Sequence, residues 1–103
     1  MKYIEWNLHK LFSFFTYITI IEMDFEKEKK RFGIRCRQIR KQLGYTSHET
    51  FAYDRDLDRS QYGKIEAGVF NLTMKLIVRI LNALEMTLSE FFNEDYDSIE
   101  LDS

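Results

Sequence analysis

The sequence predicts an all-α domain of five helices with a helix-turn-helix at its centre. Three observations carry this. Apolar residues recur at spacings of three and four between Phe32 and Leu43, and again between Met74 and Leu84. No proline occurs in the 103 residues, so no helix is forced to break. A short segment, residues 58–68, carries a start and a stop signal for one helix turned toward solvent.

That segment, Asp58-Arg59-Ser60-Gln61-Tyr62-Gly63-Lys64-Ile65-Glu66-Ala67-Gly68, organises the rest. Asp58 is a good N-cap, because its carboxylate accepts the orphan amide hydrogens of a first turn. Gly68 is a good stop, because glycine enters the left-handed region cheaply. Tyr62, Ile65 and Glu66 share an inward face by their three- and four-residue spacing. Arg59, Ser60, Gly63 and Lys64 share the other face, which has no large apolar side chain and carries two cations. A helix of this kind, behind a compact upstream helix, suits a DNA major groove.

The chain divides into a hydrophobic leader, residues 1–22, a domain, 23–93, and an acidic tail, 94–103. The leader's uncharged run from Leu11 to Ile21 is shorter than the roughly 20 residues that span a bilayer. Three readings stay open for it: a mis-called start with Met23 as the true one, a segment packed on the domain or a second copy, and membrane targeting.

The first helix is expected over residues 24–43. Asp24 caps it, and Glu26 and Glu28 suit its N-terminal dipole. Phe25, Phe32, Cys36, Ile39 and Leu43 form its apolar stripe, and Gly44 ends it. Cys36 reads as a small buried hydrophobe. Arg35 and Arg37 read either as solvated or as phosphate-facing, and the remaining cations of this helix, Arg40 apart, as solvated. The second helix opens on a capping box of Thr46 and Glu49, with Ser47 as the alternative cap. Phe51 and Ala52 point inward. Arg55-Asp56-Leu57 make the turn, with Leu57 plugging the core. So short a turn between two helices has helix-turn-helix spacing.

Thr73 caps a fourth helix over 74–84. Met74, Ile77, Leu81 and Leu84 line one face of it, with Val78 and Ile80 beside them, so it is central to the core. Thr87 and Glu90 form a capping box for a fifth helix carrying Leu88, Phe91 and Phe92, whose aromatic pair reads as core, with contact to a dimer partner as the alternative. The tail is expected to be disordered.

The formal net charge of −2 hides a segregation. Residues 24–93 hold thirteen basic and ten acidic side chains, whereas 94–103 hold five acidic and no basic ones. The domain is therefore mildly basic, which admits an anionic partner. One cysteine excludes an internal disulfide and a multi-cysteine metal site, and suits a reducing cytoplasm. His9, Cys36 and His48 have no ligand or triad spacing, and no glycine-rich phosphate loop occurs. No enzyme activity, cofactor or metal is expected.

The ordered set Ile39-Arg40, Gly44, Phe51-Ala52, Leu57-Asp58-Arg59-Ser60, Lys64-Ile65-Glu66-Ala67-Gly68 and Leu81-Asn82-Ala83-Leu84 resembles the Cro and phage-repressor type of helix-turn-helix, also called the xenobiotic-response-element family. The resemblance covers residues 32–93 and implies a lambda-repressor-like DNA-binding fold. Two departures occur. Asp56 stands where the family often has glycine in the turn, and one extra residue lies around Tyr45-Thr46-Ser47.

The resemblance implies base reading by Arg59, Ser60 and Lys64, whose donors suit guanine acceptors in the arginine and lysine cases. Gly63 is read as letting the backbone approach DNA, against relief of packing beside Tyr62. Phosphate contacts are expected from Thr46, Ser47 and His48 at the start of the second helix, from Gln61, and from Asn71, Thr73 and Lys75 beyond the third. For His48 and Gln61 simple solvation is the competing reading. Glu66 lies inward near the end of its helix, and a buried carboxylate needs a cation. Arg40 is the matching partner, a structural ion pair that the resemblance also implies.

The expectation is thus a cytoplasmic, sequence-specific regulator of transcription, a repressor, acting as a homodimer on double-stranded DNA. The alternatives are the antitoxin of a toxin–antitoxin pair, with a protein partner, and a protein-interaction module on the same fold.

Overall fold

The structure, a computed structural model, describes residues 23–101, so the readings of the leader lie outside the described residues. Five α-helices follow in order: α1 Phe25–Gln42, α2 His48–Asp54, α3 Arg59–Glu66, α4 Met74–Ala83 and α5 Leu88–Phe91. A 3₁₀ turn, Tyr96–Ser98, comes last, and no strand occurs among the described residues.

The helix ends are set by the side chains that the physics favours. Asp24 accepts from the Glu26 and Lys27 amides at the start of α1. Ser47, not Thr46, caps α2, accepting from Glu49 and Thr50. Asp58 caps α3 through the Gln61 amide at 2.7 Å. Thr73 caps α4, and Thr87 with Glu90 closes a reciprocal capping box on α5. Gly44 and Gly68 take positive φ at the ends of α1 and α3, where a side chain would be strained.

Phe32, Cys36, Ile39, Phe51, Ala52, Tyr62, Ile65, Ile80, Leu81, Leu84 and Phe91 make the core. Leu57 packs on it from the turn. The helix α3 is seated against both α1 and α2. Its approach to α1 depends on Gly33, where a Cβ would stand 2.4 Å from the Ile65 carbonyl oxygen and 2.6 Å from that of Glu66.

Four expectations need correction. Phe25 and Leu43 are exposed, because the stripe of α1 drifts out of the contact at both ends. Met74 is 65 % exposed and Val78 is exposed too, so α4 is buried at its C-terminal half only. Phe91 is buried but Phe92 is exposed. The described part of the tail, residues 94–101, packs on the domain where a disordered segment was expected. Tyr96 is buried beside Phe91 and Phe92, Ile99 packs on the core, and the Ile99 carbonyl accepts from Arg31. Two apolar side chains in an acidic run are enough to dock it.

The cations of α1 are also more engaged than a solvated face. Lys29 is 6 % exposed, donating to Asn71 Oδ1 at 3.1 Å and pairing with Glu26 at 3.0 Å. Arg35 donates to the Phe91 and Glu90 carbonyls, satisfying the C-terminal end of α5, so it is turned away from any phosphate.

Candidate nucleic-acid interface

The helix α3 presents Arg59, Ser60 and Lys64 to solvent along one edge, while Tyr62, Ile65 and Glu66 are buried behind them. What holds this edge out begins at the turn. Asp56 takes φ 58°, the left-handed conformation that aspartate tolerates better than most residues, in the place of the family's glycine. The Leu57 amide then donates to the Ala52 carbonyl at 2.8 Å, folding α3 back across α2.

Arg55 fixes the same turn from outside. Its guanidinium lies over the Phe51 and Tyr45 rings, donates to the Ala83 carbonyl at 2.6 Å and pairs with Glu85 at 3.0 Å. No local pattern in the sequence marks its bonds to Ala83 and Glu85, which lie on α4 and just beyond it.

At the far end of α3, Arg40 and Glu66 form the expected pair. Arg40 Nε lies 2.7 Å from Glu66 Oε2, and Nη2 lies 2.9 Å from Oε1. Arg40 also donates through Nη1 to the Tyr45 carbonyl at 2.9 Å. The bond to Glu66 raises the Arg40 pKa above its ordinary value, against the opposing effect of burial. Burial raises the neighbouring Cys36 thiol well above its usual range, so it is an inert thiol in the core, as its place in the stripe suggested.

Gly63 differs from the expectation. A Cβ there would stand 2.9 Å from His48 Nε2, so the space beside it is filled by the His48 ring, rather than by Tyr62 or open groove. His48 in turn lies 3.1 Å from Glu49. The structure therefore brings the start of α2 onto the middle of α3. Thr46 is exposed beside Ser47, whose hydroxyl oxygen is engaged as the α2 cap.

On the other side, Gln61, Asn71, Thr73 and Lys75 converge on one groove of about 260 Å³. Arg79 joins them there, a residue that sequence reasoning missed. Its four-residue spacing from Lys75 is the signal that could have found it.

Residues 37–91 match the family model described as helix-turn-helix. The control protein C.MunI of Mycoplasma sp is 39 % identical over 66 residues, which are 64 % of this chain and 89 % of that protein. The chain belongs to the Cro and phage-repressor type of helix-turn-helix proteins. Members of this helix-turn-helix family bind DNA and regulate transcription, and the fold described above is theirs. The restriction-modification controller protein C.AhdI of Aeromonas hydrophila is similar in structure with a TM-score of 0.59 and 34 % identity, covering 68 % of this chain and all of that one. A mutant of the restriction-modification controller protein C.Esp1396I gives a TM-score of 0.58 and 30 % identity, covering 68 % of this chain and 91 % of that one. No helix among the described residues is long and apolar enough to cross a membrane.

Proposed function

We propose that this chain binds a specific double-stranded DNA site and reads its major groove with Arg59, Ser60 and Lys64. The observation that carries this is the exposed polar edge of α3, held by buried contacts on its opposite face. Arginine and lysine donate to the guanine O6 and N7 acceptors, and serine serves several bases. Gly63 contributes by seating His48, so that α2 and α3 meet the DNA as one surface. Thr46, Ser47 and His48 flank the groove on one side, and Gln61, Asn71, Thr73 and Lys75 on the other, as contacts to phosphates.

The protein acts as a homodimer on a two-fold site, with half-sites roughly 34 Å apart. Met74 and Val78, four apart on α4, leave an apolar stripe exposed that suits a second copy. It resides in the cytoplasm and represses by occupying DNA that other proteins would need. The genes controlled belong to a restriction-modification pair, a reading supported by the likeness to the restriction-modification controller proteins C.AhdI and C.Esp1396I.

The test is selection of genomic fragments by the full chain. One recovered site class with two-fold related half-sites supports the reading. Recovery without sequence preference contradicts it.

A further inference from the structure

We infer that the groove between α3 and α4 is a built seat for a single DNA backbone phosphate, and that Arg79 closes it. This rests on the DNA-binding reading above and extends it from separate contacts to one site. The groove has a volume of about 260 Å³ and an apolar floor of Phe70 and Leu76. Its rim is Gln61, Asn71, Thr73, Lys75 and Arg79, with no carboxylate among the described residues that line it.

Two side chains of the rim are held in place beforehand. Lys29 is buried and has donors alone, so the Asn71 atom it binds at 3.1 Å must be the acceptor oxygen. That leaves the Asn71 amide hydrogens as the end available to an anion. Glu26 at 3.0 Å and the Phe25 ring at 5.0 Å hold the Lys29 ammonium in turn. Lys29 is thus a positioning residue, acting through Asn71. Arg79 is anchored by its Nη2 bond to the Asp56 carbonyl at 3.2 Å. A guanidinium has five donor hydrogens, so one such bond leaves most of its fork for a phosphate. Thr73 accepts from the Leu76 amide, which leaves its hydroxyl hydrogen to donate. Lys75 and Arg79 are four apart on α4, exposed, and both line the groove.

The seat predicts a specific electrostatic signature. Each phosphate neutralised contributes about 0.9 to the slope of log affinity against log salt. Arg79→Gln loses the charge and, with its shorter side chain, the exposed bond to the Asp56 carbonyl. It should weaken binding of the full chain to its selected site by about tenfold. It should leave the ranking of sites and the melting temperature unchanged. Lys75→Ala with Arg79→Gln should lower the salt slope by about 0.9, the share of one phosphate. A slope loss near twice that overturns the single seat. Unchanged affinity in Arg79→Gln, with binding still lost in Arg59→Ala/Lys64→Ala, overturns the seat while leaving the groove reading intact. A wild-type chain without site-selective binding overturns both.

Discussion

Arg40 and Glu66, from α1 and α3, meet in a two-pronged pair whose side chains are only 5 % and 7 % exposed. This pair ties the end of α3 to α1, the longest helix among the described residues. Removing one partner strands the other's charge in the interior. Glu66→Gln or Arg40→Met alone should cost roughly 3–5 kcal/mol, read by urea unfolding. Replacing both with apolar residues of similar volume should recover most of that loss. A single-variant loss below about 1 kcal/mol would contradict the burial of the pair.

The two glycines of this interface should respond oppositely. Gly33→Ala drives a Cβ into the backbone carbonyls of Ile65 and Glu66, which cannot give way without moving α3. A loss of about 1–3 kcal/mol and weaker DNA binding are expected. Gly63→Ala meets only the end of the His48 ring, which can turn aside. Alanine favours a helix over glycine by up to about 1 kcal/mol, so stability should hold or rise. Thermal unfolding of the two variants separates them.

Tyr62 offers a sharper check of the core. Its hydroxyl is buried and has no hydrogen-bond partner within bonding geometry among the described residues, and burial pushes its pKa well above the ordinary value. Removing an unsatisfied buried polar atom is neutral or favourable. Tyr62→Phe should leave stability unchanged or raise it by up to about 1 kcal/mol in denaturant unfolding. A clear loss would mean that the hydroxyl has a partner in solution.

Glu90 gives a pH dependence. The Thr87 amide and hydroxyl donate to or face its carboxylate in the α5 capping box, and the amide bond first of all lowers its pKa. A carboxyl lowered on folding stabilises the fold fully above its unfolded pKa of about 4.3, and loses that effect as pH falls through the folded value. Wild type should therefore exceed Glu90→Gln in stability at neutral pH. The gap should shrink below about pH 4.3. Unfolding curves at both pH values decide it.

Much of the site was legible because its signals are local. Asp58 and Gly68 mark the ends of α3 within eleven residues, and the three- and four-residue spacing of Tyr62, Ile65 and Glu66 assigns its faces. Arg40 was legible from need, since an inward carboxylate near a helix end requires a cation. What was missed depends on distant partners. Lys29 looks like one more solvated lysine until Asn71, forty-two residues on, is seen to accept from it. Arg35 and Arg55 serve carbonyls at helix ends far along the chain, which no spacing reveals. The tail looked too acidic to pack, yet Tyr96 and Ile99 dock it. Gly63 shows a subtler limit. Its position on a face was right, but what fills the space beside it came from α2.

If the exposed edge of α3 chooses the DNA sequence, removing its cations must erase sequence preference. The most direct test is binding of the full chain to selected genomic fragments across a salt series, wild type against Arg59→Ala/Lys64→Ala. Wild type should bind one site class with an affinity that falls steeply as salt rises. The double variant should keep weak, salt-dependent binding but lose sequence preference. Equal preference in both proteins would contradict that role of the edge.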